Sequence, residues 1–479
     1  MELKGIDGLK EGSRIYFIGI GGISMSGLAI LAQGYGFTVG GSDMNPSERT
    51  EELASKGIKI YNSQVESNLI EFQPDYIVKT AAVLPGNAEV AYAISNGIRI
   101  FDRSEFLGLI TESYEKVINI SGTHGKTTTT SMTSLMLIGS MKDPTVHLGA
   151  ELTDFGGTVR MGGNREVLVS EACEFKRSFL QFRSTTAAIT NIDHDHVDCY
   201  PTLQDVIDVF AKFLDKLDDD GYVVVTYRDK NIVKSLSQAD EARAKAGRAP
   251  LNIVRCARED DEPAGADFVA RNIGFDGGLP FFDLYGKGEF MGHVSLRIPG
   301  KHNIDNALIA SACAYLNGAD AESIVKALNA FGGADGRYTY KGQYKGCDVV
   351  VDYAHHPTAA KVTIEAAQQM PHGDMIVIFQ PLTFNRTKLL FEDYVEKLLP
   401  CKKILFSEIF SDREINTGEI SSKDISDEIN KRGGDSEFFA DKDDLVRRLD
   451  ELIKPGDLIL ILGPEDIRAL GDRLVESGK

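Results

Sequence analysis

The segment Val117–Thr130, VINISGTHGKTTTT, decides the fold, because an apolar β-type run meets a glycine turn, a lysine and a row of threonines. The pattern predicts a strand that stops at Ser121 and a helix that opens at the lysine. Gly122 and Gly125 let backbone amides approach phosphate oxygens, and Lys126 supplies a point charge. Thr127 offers a hydroxyl to Mg²⁺, where the helix dipole favours anions. Candidate triphosphate contacts are therefore Gly122, Thr123, His124, Gly125, Lys126, Thr127 and Thr128. Common P-loops place four residues between the first glycine and the Gly-Lys pair, whereas only Thr123 and His124 intervene here. A glycine turn that binds nothing would account for the glycines but not for a lysine followed by four threonines.

Around this segment lies a chain of 479 residues, long enough for about three domains at about 150 residues each. Its formal net charge of −19 argues against nucleic acid or an anionic membrane as partner, so anionic ligands must be held by local basic groups and amides. No apolar run reaches bilayer length, and the N-terminus MELKGIDGLKEGSR lacks the apolar centre of a signal peptide. The expected location is cytoplasmic. Six cysteines without CxxC pairs read as reduced thiols rather than a disulfide or zinc framework.

Three blocks follow from the pattern of apolar runs and turns. The first, 1–114, opens with a strand over Arg14–Ile20, the loop GIGGISMSG, a helix to about Gly34 and a second strand ending at Asp43. Further runs at Tyr76–Lys79 and Ile98–Phe101 make a parallel α/β sheet the natural assembly. The second block, 115–334, continues from the phosphate-loop strand with strands at Val167–Ser170 and Ala187–Thr190. It then changes to antiparallel strands at Phe268–Phe275, Phe281–Tyr285 and Phe290–Ile298, the first two joined by an Asp276-Gly277-Gly278 turn. The glycines of Phe331–Arg337 mark a hinge or a simple surface loop. The third block, 335–479, carries strands at Asp348–Val351, Met375–Phe379, Lys403–Phe406 and Leu458–Leu462 in a second open α/β pattern.

Two strand ends of the second block carry acidic and imidazole groups, Glu171-Ala172-Cys173-Glu174 and Thr190-Asn191-Ile192-Asp193-His194-Asp195-His196-Val197-Asp198. Open α/β sheets place ligands at such ends, and these side chains suit a cation that neutralises a transferring phosphoryl group. A solvated acidic loop is the alternative. At the N-terminus, Gly19, Gly21 and Gly22 with Asp43 look like a dinucleotide fingerprint, but the third glycine arrives late, at Gly27. The same amides would hold the diphosphate of another nucleotide carrier.

The short GTHGKT form resembles the loop of the Mur ligases, ATP-dependent enzymes that add amino acids to the peptidoglycan precursor. GxGGxxMSG is similar to the loop with which those ligases hold a UDP-sugar, which implies UDP contacts at Gly19, Gly21, Gly22, Ser24, Met25 and Ser26, with Asp43 on ribose or base. TNIDHDHVD resembles the family's TNIxxDHxD, which implies metal ligation by His196 and Glu171 beside Thr127. GKHNIDNALIA resembles the family's adenosine-contacting motif and implies His302, Asn303 and Asn306, although His302 or Asn303 as a helix cap explains the string as well. Arg337 before an aromatic residue and Asp352 in VVVDYAHHPT match further ATP-site positions of the family. His355, His356, Arg386 and Arg413 read as a basic rim for carboxylates and phosphates. His356 is counted among the catalytic candidates and Arg386 among the sugar-nucleotide contacts.

The resemblance implies an α/β, three-domain architecture. It comprises an N-terminal Rossmann-like UDP-binding domain, a central P-loop ATPase-type domain with an antiparallel subdomain, and a C-terminal Rossmann-like domain. It implies an ATP-dependent amide ligase of cytoplasmic peptidoglycan precursor synthesis, joining L-alanine to UDP-N-acetylmuramate through an acyl phosphate. Mg²⁺ is the implied cofactor, and a monomer or homodimer the implied assembly. The alternatives are the peptide-recycling Mur ligase and a non-catalytic UDP-sugar or ATP sensor on the same fold. Departures from the family pattern are Cys173, Phe175 and Lys176 after Glu171, Val351 before Asp352, Leu382 in FQPLTF and Pro464 in GPEDI. Lys212 sits where sibling ligases carry a carboxylated lysine, and a solvated helix lysine is the other reading.

Overall fold

The computed structural model describes residues 5–83, 86–226, 228–261, 265–411 and 414–478. Three sheets carry the chain. In the first, five parallel strands run in the order Lys59–Tyr61, Thr38–Ser42, Arg14–Ile18, Tyr76–Lys79, Arg99–Asp102. Arg14–Ile18 is apolar after its first residue and buried there throughout, as an interior strand covered by helices on both faces must be. The chain reverses its direction of growth beside this strand, so the loop Gly19–Gly22 opens at a topological switch point.

The strand Lys116–Ser121 holds the same place in the second sheet, between Thr186–Ile189 and Val167–Glu171, both parallel to it. Tyr222–Thr226 and Asn252–Arg258 extend one side, and Thr145–Leu152 with Gly157–Arg160 the other. Phe268–Asp276, Leu279–Gly286 and Glu289–Ser295 form the antiparallel meander that the sequence predicts, turning at Gly277 and Gly278. The third of these ends at Ser295, short of the expected Ile298, ahead of Pro299, which has no N–H to extend a ladder. In the third sheet the order is Thr339–Tyr344, Cys347–Asp352, Leu458–Leu462, Met375–Phe379, Ile404–Ser407, Ser436–Phe439, parallel except for the first strand. Alternation divides its core: Val350, Val377, Phe379 and Leu460 pack under one helical layer, Val349, Ile376, Ile378 and Ile461 under the other.

Packing gathers these elements into two compact units. One holds Met1–Ile192, Ile207–Cys256 and Ile309–Ile324; the other holds Asp193–Val206, Ala257–Leu308 and Val325–Lys479. Within the first unit, two glycines explain why the N-terminal sheet and the phosphate-loop sheet pack as one body. Gly27, on the helix Ile23–Gly34, lies so close to the hairpin that an added Cβ would stand 2.7 Å from Val159 Cγ1. Gly108, on the helix Arg103–Thr111, approaches the turn Phe175–Gln181, and a Cβ there would stand 2.5 Å from Gln181 O. Gly27, late for a dinucleotide fingerprint, is thus a docking glycine between sheets.

Replacing a helical glycine by a side-chain-bearing residue ordinarily gains up to about 1 kcal/mol of propensity, while overpacking costs about 1–3 kcal/mol. Gly108→Val is therefore expected to lower the melting temperature, with a net loss of about 2 kcal/mol. An unchanged thermal transition in that variant would show that the docking is looser than the 2.5 Å approach implies.

Candidate functional site

In the first unit the phosphate loop is set between two strand ends. Gly122 has φ 128°, and an added Cβ would stand 2.0 Å from Thr190 Oγ1, so no other residue fits that turn. Thr190 and Asn191 hold the loop from outside. Asn191 O accepts from Thr123 N at 3.0 Å, Asn191 Oδ1 accepts from His124 N at 2.9 Å, and Asn191 Nδ2 donates to His124 O at 2.9 Å. Gly125, at φ 84°, then caps the helix Lys126–Gly139 that the sequence predicts. Thr127 and Thr128 are buried in its first turn.

The ammonium of Lys126 lies against Gly122 O, Thr123 O at 3.2 Å and Glu174 Oε2 at 3.1 Å. Burial opposes its charge, but Glu174, then Cys173 and Glu171, outweigh that and hold its pKa above the ordinary value. Glu171, at the end of its strand, accepts at Oε1 from Gly149 N at 2.7 Å. A hydroxyl at Thr127 and a carboxylate at Glu171 are the hard oxygen donors that suit Mg²⁺.

The glycine loop Gly19–Gly22 of the same unit, the expected sugar-nucleotide contact, is arranged more tightly than its sequence suggests. Asp43 accepts from Gly21 N at 2.9 Å and from Asn45 N at 3.0 Å, which places its carboxylate at the loop. Gly19 takes φ 81°. Met25 and Ser26 are buried, and the Ser26 hydroxyl is spent on Ile23 O at 2.9 Å, so their side chains are structural. Ser24 Oγ instead meets Arg103 Nη1 at 3.0 Å and His147 Nε2 at 3.1 Å. Neither partner is legible in the sequence, since no motif surrounds them. Lys212 is exposed on the helix Leu203–Asp215, which favours the solvated reading.

In the second unit His196 has φ 50°, a strained value for a residue with a Cβ, and its N–H donates to Asp195 Oδ1 at 2.6 Å. That same oxygen receives Arg386 Nε at 2.7 Å, in an ion pair where both side chains are buried. Burial would raise the pKa of Asp195, but the charge of Arg386 holds it well below the carboxylate range.

Here the expected basic rim is corrected. Arg386 is only 2 % exposed and carries Asp195 as its counterion. Burial, then Arg386, drives His355 well below the usual imidazole range and leaves it neutral. His356 caps the helix Pro357–Gln368, its Nδ1 accepting from Thr358 N at 3.2 Å while Nε2 meets His194 O at 3.2 Å. The same ring stands 3.8 Å from Asp193 Oδ2, so His356 is tied into its own turn as a cap rather than presented on a rim. Arg413 lies outside the described residues.

Neither His302 nor Asn303 caps the helix His302–Leu316, since both lie inside it. Asn303 Nδ2 donates to Pro299 O at 2.7 Å, and Asn306 Nδ2 donates to Asn303 Oδ1 at 3.0 Å, so the two amides fix each other. Beside them Asp305 is raised to about 7 by burial, against the pull of Arg258, with Asp261 and Asp260 adding to the rise. Asp352 accepts from Tyr338 N at 2.8 Å, and burial raises its pKa against the opposing charge of Arg337. Arg337 and Arg468 lie over the Tyr353 ring at 5.1 and 5.2 Å, a stacked group in which Arg468 is new.

Three family models match in succession: Mur ligase family, catalytic domain, over residues 14–115; Mur ligase middle domain over 120–314; and Mur ligase, glutamate ligase domain, over 336–464. The chain is 40 % identical over 472 residues to the UDP-N-acetylmuramate–L-alanine ligase of Caldanaerobacter subterraneus subsp. tengcongensis, covering 98 % of this chain and 99 % of that one. It is 38 % identical to the ligase of the same name from Acetivibrio thermocellus, over 96 % and 95 % of the two chains. Among solved structures, UDP-N-acetylmuramate-alanine ligase of Thermotoga maritima is similar with TM-score 0.77 and 25 % identity, over 97 % and 99 % of the chains. A murein peptide ligase of Psychrobacter arcticus is similar with TM-score 0.72 and 25 % identity, over 97 % and 98 %. With models running from residue 14 to 464 and relatives matched nearly end to end, the chain belongs to the Mur ligase family.

Proposed function

We propose that this chain joins L-alanine to UDP-N-acetylmuramate at the expense of ATP, in peptidoglycan precursor synthesis. The observation that carries the reading is the loop Gly122–Thr127 at the switch point of its sheet, with Lys126 held charged by Glu174, in a chain matched nearly end to end by ligases of that name. The substrate carboxylate attacks the γ-phosphorus, an O–P bond forms, and the bond to ADP breaks. The alanine amine then attacks the acyl carbon, phosphate leaves, and the nitrogen loses a proton. Lys126 and the loop amides stabilise charge gathering on the transferring phosphoryl oxygens. Asn303, Asn306, Arg337 and Asp352 are assigned to the nucleotide, and Asp43 to the uridine end of the other substrate. Thr127, Glu171 and His196 would hold Mg²⁺, which supplies charge neutralisation between phosphate and carboxylate. Among the described residues no helix is long and apolar enough to cross a membrane. A cytoplasmic enzyme, monomeric or homodimeric, is part of the same proposal.

Lys126→Ala is expected to cut ATP turnover at least about 100-fold, on the order of 2.7 kcal/mol. A coupled ADP assay on protein of verified melting temperature measures it, and a wild-type rate would sink the loop assignment.

Glu171→Gln and His196→Ala should reduce the rate and alter its Mg²⁺ dependence together, while binding of UDP-N-acetylmuramate stays nearly unchanged. Calorimetric binding beside magnesium titrations of the rate separates the two effects. An unaltered Mg²⁺ response in His196→Ala would remove that histidine from the metal site.

The amine is tested directly by ADP release with UDP-N-acetylmuramate and ATP fixed. L-alanine should be fastest, and L-serine and glycine slower, glycine forfeiting a methyl contact of roughly 1 kcal/mol or somewhat more. D-glutamate should be inactive. Efficient turnover with L-alanyl-γ-D-glutamyl-diaminopimelate would instead name the peptide-recycling reaction, and no amine-dependent ADP release at all would favour the sensor reading.

A further inference from the structure

Arg103 stands at the start of the helix Arg103–Thr111 and reaches back to the sugar-nucleotide loop, where its Nη1 donates to Ser24 Oγ at 3.0 Å. Burial lowers its pKa, opposed by nearby Cys173, yet a guanidinium stays charged at any physiological pH. Among the described residues no carboxylate forms an ion pair with it, and Ser24 alone accepts a hydrogen bond from it. In a chain with net charge −19, acidic side chains are abundant, and a recessed cation without one costs stability. The neighbouring His147 repeats the pattern. It is 3 % exposed, burial and then Arg103 push it down to about 4, and its Nδ1 has no protein partner. Two polar groups, His147 buried and Arg103 half-buried, thus stand beside Ser24 with donor or acceptor capacity unspent.

Their position tells which ligand group they suit. Ser24 lies in the first turn of the helix Ile23–Gly34, whose amides serve a diphosphate without further help. Arg103 lies towards Cys173, the residue that together with Glu174 and Glu171 also sets the field at Lys126. Two residues beyond His147 on the strand Thr145–Leu152, the Gly149 N–H holds Glu171. The group therefore stands between the sugar-nucleotide loop and the phosphoryl-transfer residues, all within the first unit. In the proposed reaction the part of the substrate that must cover this interval is the carboxylate on the sugar.

We propose that Arg103, supported by Ser24 and His147, receives the reacting carboxylate of the sugar nucleotide and orients it for attack. This rests on the ligase reading given above. A guanidinium donating to one carboxylate oxygen leaves the other to form the bond to phosphorus while ADP departs. In the acyl phosphate the same donor meets the carbonyl oxygen and stabilises the charge that develops there when the amine adds. No other role is needed to explain why a recessed cation lacks a counterion.

Calorimetric titration of Arg103→Gln and Arg103→Lys tests this with two ligands. UDP-N-acetylmuramate carries the carboxylate, and UDP-N-acetylglucosamine shares its uridine diphosphate but lacks it. Arg103→Gln should weaken the first by about tenfold or more and leave the second within about twofold, with Arg103→Lys recovering part of the loss. The unliganded Arg103→Gln protein should melt no lower than wild type, because the substitution removes a half-buried charge that has no counterion; a structural role would move it the other way. Equal loss for both nucleotides, an unchanged affinity for UDP-N-acetylmuramate, or a lowered melting temperature overturns the assignment. Wild-type protein that binds neither nucleotide overturns the ligase reading and this assignment with it, whereas a failure confined to the variants leaves the ligase reading standing.

Discussion

A strongly acidic chain that binds two polyanionic substrates must hold its few site cations in place before either arrives, and the pair of Lys126 with Glu174 is where this constraint is met most directly. The two side chains are 15 % and 2 % exposed, so removing either leaves the other charge buried, at a cost of about 3–5 kcal/mol. Glu174 therefore keeps the ammonium charged and seated. The loop around the lysine is equally predetermined, because Asn191 engages the amides of Thr123 and His124 and the carbonyl of His124. Little reorganisation is left to the moment of binding, which is the condition under which fixed donors stabilise a transition state well.

Close packing extends that order outward. The docking approaches at Gly27 and Gly108 put the sugar-nucleotide loop and the phosphate loop in one compact unit. Distances between Ser24, His147, Gly149 and Glu171 are then properties of a packed interior, which tolerates little change in volume.

Among the strands buried on both faces, Lys116–Ser121, Tyr76–Lys79, Met375–Phe379 and Leu458–Leu462 were placed to the residue or nearly so, whereas Thr145–Leu152 and Tyr222–Thr226 were not named. Lys59–Tyr61, Thr339–Tyr344 and Ser436–Phe439 were not, because edge strands are short and half-exposed and so lose the apolar run. At the site, residues inside a local motif were legible and those reached across space were not. Arg103 and His147 lie 79 and 123 positions from the serine they meet, and Arg468 joins Tyr353 from a helix with no signature of its own. The histidines of DYAHHPT misled for a physical reason. Sequence shows a basic residue type, while burial and capping decide whether the ring carries charge.

The departures from the family pattern divide along the same line between interior and site. Val351, which replaces an acid, is fully buried with Ile461, Ile467 and Leu470, and its side chain packs against Gly471. An aspartate there would need a partner that this apolar layer does not contain, so the substitution belongs to the core and leaves Asp352, on the other side of the pleat, free to accept from Tyr338 N. Leu382 is different. It is half-buried, its backbone O accepts from Arg386 Nη1 at 3.2 Å, and it precedes Thr383, a non-glycine residue at φ 67°. With leucine where the family pattern has a histidine, the cation of the stretch Phe379–Thr387 is Arg386, already committed to Asp195 and through it to the strained turn at His196. Arg386 is accordingly a positioning residue for His196. A ligand that draws on its charge must do so without dissolving a pair that the whole turn depends on, which limits that loop to donors Arg386 has to spare.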